Sequence, residues 1–127
     1  MLGRAWAVAA LTLALAGGPA LAAGSLGETV FQQCIACHSV DPADHGLPAP
    51  SLAGVVGRSA GSVANFDYSP AMQAAGRAGL TWSEAELDRF LTDPSAKVPN
   101  TWMDFAGLSD PADRAAVIAF LKARPAL

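Results

Sequence analysis

Cysteine and lysine are equally scarce in this chain, two of each, and nowhere do apolar and polar residues alternate for long. Cys34 and Cys37 are the only 2 cysteines in 127 residues. At most one disulfide is therefore available, and one joining residues so close together would remove little chain entropy. The only lysines are Lys97 and Lys122. That leaves no basic cluster of the kind nucleic acid or an anionic membrane surface rewards, so neither is expected as a partner. The missing alternation argues against strands, and there is no internal repeat or charge run.

What is present begins with one long apolar run. Arg4 precedes "AWAVAALTLALA", residues 5–16, which gives way to "GGPALAAGS" with Ala20 and Ala22 in a small-x-small arrangement. Residues 1–22 read as a secretory signal peptide cleaved after Ala22. The rival reading is a retained membrane anchor, but a spanning helix needs about 20 apolar residues, and Gly17, Gly18 and Pro19 interrupt this run. After cleavage no stable membrane insertion is expected and the chain is periplasmic. Residues 23–127 then form a single domain of 105 residues in which 7 basic residues face 11 acidic ones, a formal charge of −4. So small an exported domain usually needs a disulfide, a metal or a cofactor to complete its core.

Helix signals recur along the rest. Ser25 and Glu28 have capping-box spacing ahead of Leu26, Val30, Phe31 and Cys34, which predicts a helix from about Leu26 into the cysteines. Residues 39–67, rich in Gly, Pro, Ser and Asp, read as loop. Ser69-Pro70 opens a short helix that Gly76 should end. Ser83 and Glu86 cap another, with Leu87, Phe90 and Leu91 on one face, and Asp93-Pro94 stops it and caps a single turn through "SAKV". Asp110-Pro111 starts a last helix with Val117, Ile118, Phe120 and Leu121 as its apolar side, and Lys122 and Arg124 suit its C-terminal dipole. The fold class is therefore all-α, four to five helices joined by long loops. Loops of that length need something to organise them, and a large apolar ligand would do so.

"FQQCIACHS" supplies the candidate. C-x-x-C-H is the attachment signature for c-type haem. Thiols three residues apart leave one side of a helical turn and can each add to one vinyl group of the ring, and His38 can then bind the iron. Two rivals fit less well. A thioredoxin-type C-x-x-C wants a strand before it and a βαβ frame, whereas a capped helix precedes this one. A zinc site needs four tetrahedral ligands, and only His45 is left over. For the sixth iron position, Met1 leaves with the signal and Met72 reads as core filling within a helix. Met103 sits in "VPNTWMDFAGL", a loop between helices flanked by Pro99 and Gly107, and is the chosen ligand.

With these pieces assembled, the chain from about Gly27 to Lys122 resembles the class I c-type cytochromes, the family of mitochondrial cytochrome c and its soluble bacterial relatives. The matching segments are "VFQQCIACHS", "PSLAGVVGRSAG", "FDYSPAM", "TWSEAELDRFL", "VPNTWMDFAGL" and "DRAAVIAFLK". The resemblance implies one covalent haem c held by Cys34 and Cys37, with His38 and Met103 as axial iron ligands and no catalytic residues. It implies that the Pro50 carbonyl orients the ligand imidazole, that Arg58, Tyr68 and Trp82 satisfy buried propionates, and that Thr101 belongs to the haem contacts. Phe90 stands where many members have a tyrosine that reaches the ligand sulfur. Trp102 replaces a common lysine, and the lysine ring of mitochondrial members is largely missing.

The implied function is one-electron transfer between redox protein partners, a reductase and an oxidase or dehydrogenase, by a monomeric carrier and not an enzyme. A dedicated haem subunit of a periplasmic dehydrogenase is the alternative. A haem enzyme or gas sensor would need an open iron and a distal His or Arg, which the Met103 loop does not offer. Docking is expected to centre on a small apolar contact at Trp102, with a basic partner as the other option.

Overall fold

Four of the five helices among the described residues begin at a capping side-chain oxygen, and in three of these a proline follows it. The computed structural model describes residue 3 and residues 20–126; most of the expected signal segment thus lies outside the described residues. α2 (Pro70–Arg77) is capped by Ser69, whose hydroxyl accepts from the Met72 N–H at 3.1 Å. α3 (Glu84–Thr92) starts after Ser83, which accepts from the Glu86 N–H at 3.1 Å. α4 (Pro94–Lys97) and α5 (Pro111–Lys122) are capped by Asp93 and Asp110, which accept from Ala96 and Ala112. Each such cap is worth about 1 kcal/mol.

α1 (Ala20–Phe31) departs from expectation at both ends. It begins upstream of Ser25 because "ALAA" continues the helix at little cost, so Ser25 lies inside the helix. It also stops at Phe31, short of the cysteines. There the N–H groups of Gln32, Gln33 and Cys34 donate to carbonyls three residues back, at 3.2, 3.1 and 2.8 Å, tightening the chain into successive turns. A second correction concerns Gly76. α2 runs through it to Arg77, and its role is close approach, since a Cβ there would collide with the Ala60 carbonyl.

α1 lies across α5, and Gly27 permits the crossing: a Cβ at that position would run into the Ala116 carbonyl. Phe31 and Phe120 then meet with ring centroids 5.0 Å apart. α3 completes the frame. Arg114 of α5 donates to Asp88 at 2.8 Å, the Lys97 ammonium of α4 pairs with Glu86, and the Leu108 N–H donates to the Leu91 carbonyl at 2.7 Å. The long loop is closed on itself by Leu52 N–H to Ser39 carbonyl at 2.8 Å and pinned to the residues around it by Ala49 N–H to Cys37 carbonyl at 3.1 Å and Gly54 N–H to Arg124 carbonyl at 2.7 Å. Among the described residues the only β-type pairing is the isolated bridge between Ser59 and Thr81.

The apolar faces do not close on one another. Phe31, Leu87, Phe90, Val117 and Leu121 are all buried, yet each also lines an internal cavity. The core is a shell around a hole.

Candidate functional site

The cavity has a volume of about 380 Å³, within the range of about 300–1,000 Å³ usual for cofactor and ligand sites. Its walls are mostly apolar. Every site residue singled out in the sequence reaches it: Cys34, Cys37 and His38 from the turns after α1, Pro50 and Arg58 from the long loop, Tyr68 and Trp82 from the approaches to α2 and α3, and Thr101 and Met103 from the segment before α5.

The cysteine turn is a rigid mount. The Cys34 carbonyl accepts from the Cys37 N–H at 3.1 Å and from the His38 N–H at 2.9 Å, which holds both thiols and the imidazole on one turn. The cysteines are not joined to each other. Burial, helped by the neighbouring Cys37, raises the Cys34 thiol above its usual range. A reactive dithiol needs the opposite, a stabilised thiolate, so the thioredoxin-type reading finds no support in this geometry. The zinc reading lacks its ligands, since among the described residues no group of three or more His, Cys, Asp or Glu side chains is placed to hold a metal ion.

His38 is set up as a neutral base. Its Nδ1 lies 2.8 Å from the Pro50 carbonyl. A carbonyl can only accept, so Nδ1 carries the proton and Nε2 keeps its lone pair. Burial lowers its proton affinity, the Pro50 contact opposes that, and the Arg58 charge adds to the lowering. The ring is therefore oriented and available to a metal.

Arg58 and Trp82 are locked together through their backbones. The Trp82 N–H donates to the Arg58 carbonyl and the Gly57 N–H to the Trp82 carbonyl, both at 2.8 Å. One Arg58 nitrogen donates to the Ser51 and Ala53 carbonyls at 3.1 and 3.0 Å. Its guanidinium is pulled below its usual value by burial, against the opposing influence of Tyr68. The Tyr68 hydroxyl accepts from the Val63 N–H at 3.1 Å, which leaves its own proton to donate. Trp82 is only 6% exposed and tilts against Phe90 with centroids 4.8 Å apart. Its side chain also lines the cavity. A guanidinium, a phenol and an indole N–H thus border one apolar cavity, ready for acidic groups on whatever fills it.

On the other side, Thr101 positions the methionine. Its hydroxyl accepts from the Met103 N–H at 3.3 Å, while its own N–H donates to the Val98 carbonyl at 3.0 Å. Met103 is half-buried, and Trp102 beside it is 68% exposed. Met72 also reaches the cavity, from α2, so it lines the site as well as filling the core. Sequence reasoning missed Phe66 and Phe105 as cavity walls. Neither lies in a periodic segment, and the only available signal was an aromatic within two residues of Tyr68 or Met103.

The sequence model of the family described as Cytochrome c matches residues 25–124. This chain belongs to the cytochrome c family. It is 52% identical over 95 residues to cytochrome c2 of Rhodomicrobium vannielii, covering 75% of this chain and 74% of that one. It is 50% identical over 92 residues to cytochrome c2 iso-2 of Magnetospirillum fulvum, covering 72% and 92%. The solved structure of cytochrome c2 from Rhodospirillum centenum superposes with a TM-score of 0.75 at 36% identity, covering 81% of this chain and 98% of that one. As a cytochrome c, the protein is an electron carrier with covalent haem c and its iron, not an enzyme. The cavity fits that group: apolar walls, two unjoined thiols and an oriented imidazole on one turn, and Arg58, Tyr68 and Trp82 at its border.

Proposed function

We propose that this cytochrome c is exported to the periplasm and carries single electrons between redox proteins there, with Cys34 and Cys37 as the thioether attachments and His38 and Met103 as the axial iron ligands. The observation that carries the assignment is the 2.8 Å contact of His38 Nδ1 with the Pro50 carbonyl, which leaves Nε2 free beside two thiols in the cavity that also holds Met103. Bound there, haem supplies a one-electron Fe(III)/Fe(II) couple. Pro50 fixes the imidazole plane and raises its basicity as a ligand. Met103 offers a soft thioether that favours the reduced metal, and Thr101 holds its backbone in place. Phe90, Leu87 and Val117 keep water from the ring. Arg58, Tyr68 and Trp82 meet the propionates.

Export is supported by the pattern of residues 1–22 and by the signature itself, since thioether haem is assembled outside the cytoplasm. No described helix is long and apolar enough to cross a membrane. A second reading, a dedicated haem subunit of a dehydrogenase, draws on the exposed Trp102; gel filtration of a periplasmic extract separates the two, a carrier eluting at the size of the monomer. The direct test is mass spectrometry of the purified protein. The expected chain begins at Ala23 and bears one haem on the peptide containing Cys34 and Cys37; a chain retaining Met1, or free thiols, would overturn the reading.

A further inference from the structure

Trp102 is 68% exposed, more than any other large apolar side chain on the described surface, and it also lines the cavity, so it stands at the mouth. Asp67 and Asp104 share both properties, exposed and cavity-lining, and neither carboxylate has an ion pair or hydrogen bond among the described residues.

The protein's own cations are committed elsewhere. Arg89 and Lys97 pair with Glu86, Arg114 with Asp88, and Lys122 with Glu84. Arg124 lies over the Phe120 ring, and Arg58 donates to carbonyls inside the protein. Among the described residues only Arg77 has no ion pair, hydrogen bond or ring contact from its side chain, and it opens on a neighbouring cleft with Gln73 instead of on the mouth. An indole and two carboxylates therefore face outward, and among the described residues no cation is ion-paired with either carboxylate.

We propose that the cavity mouth docks a redox protein presenting a basic face, with an arginine laid on the Trp102 indole and Asp67 and Asp104 attracting the charges around it. Tryptophan is the strongest aromatic partner for a cation, and arginine the cation most often found on it. A purely apolar partner would desolvate two carboxylates with nothing to pair them. An acidic partner would be repelled at long range. A basic partner satisfies the carboxylates and uses the indole, a residue type enriched at binding hot spots. This inference rests on the reading of the mouth as the point where electrons leave the haem.

The test uses the oxidised holoprotein and two small reductants that each give one electron, the cation hexaammineruthenium(II) and the anion iron(II)-EDTA. Second-order rates are followed as ionic strength shortens the Debye length from about 30 Å to about 3 Å. The expected result is a ruthenium rate that falls with salt and an iron-EDTA rate that rises. Asp67→Asn with Asp104→Asn should flatten both slopes, while Glu28→Gln with Asp113→Asn, the same change in net charge away from the mouth, should flatten them much less. In a parallel titration of the reduced protein, tetra-arginine should shift the Trp102 indole N–H resonance and tetra-glutamate should not, and Trp102→Ala should weaken tetra-arginine binding about two- to fivefold. Equal effects of the two Asp/Glu pairs, or arginine binding indifferent to Trp102, would overturn the proposal. If instead neither reductant reaches the iron in a protein that carries haem, it is the placement of the electron exit that fails.

Discussion

Two methionine side chains reach the cavity, and their backbones separate their roles. Met72 belongs to α2, where its N–H is spent on the Ser69 cap, and its side chain packs on the core. Met103 sits in an irregular segment whose N–H is tied to Thr101, an arrangement that places a side chain without burying it completely. On the proposed ligation, Met103→Ala opens the sixth iron position, lowers the reduction potential and lets carbon monoxide bind. Met72→Ala should leave potential and spectrum intact and cost about 2 kcal/mol, the low end for a buried Met truncation because the side chain is only partly buried. Redox titration of the two variants checks this, and reversed behaviour would exchange the assignments. At this scale the sequence was informative where chemistry has a spacing, as in Cys34, Cys37 and His38. Pro50, Arg58, Tyr68 and Trp82 carry no local pattern and could be named only through the family resemblance. Phe66 and Phe105 had neither aid.

Helices were legible where local chemistry decides them. Ser69, Ser83, Asp93 and Asp110 each accept from an N–H of the first turn, as their positions before helical segments suggested. The failures are both ends of α1 and the end of α2, where helix-favouring neighbours, the tightening turns after Phe31 or the close approach to Ala60 override the local signal. Ion pairing adds a testable layer between elements. Glu86 of α3 is held below its ordinary value of 4.5, first by its hydrogen bond to Lys97 of α4 and further by Arg89. A carboxyl depressed on folding contributes stability above the ordinary carboxylate range, and that contribution is lost as pH falls through the lowered folded value. Glu86→Gln should therefore lower the midpoint of thermal unfolding at neutral pH, with the difference from wild type shrinking to nothing in acid. A difference that persists unchanged at low pH would mean that the residue acts by packing and not by charge.

Across the whole molecule, the apolar faces of α1, α3 and α5 surround a cavity instead of filling it. The long loop between α1 and α2 is irregular, tied by backbone bonds to Leu80, Trp82 and Arg124 and packed on the core through Val55 and Ala60. Haem is then the missing part of the core, which accounts for so short a chain with no disulfide and so much irregular backbone. Replacing both Cys34 and Cys37 with Ser should leave a chain that is largely disordered by circular dichroism, and a cooperative unfolding transition without haem would count against the shell-around-a-ligand description. On the proposed ligation, His38 and Met103 would close both sides of a haem iron held in this cavity, as an electron carrier requires. The most direct measurement is the visible spectrum of the reduced wild-type protein before and after carbon monoxide at neutral pH. The expected result is a six-coordinate low-spin spectrum that carbon monoxide leaves unchanged; full conversion to a carbon monoxide complex would rule out Met103 as a closed sixth ligand.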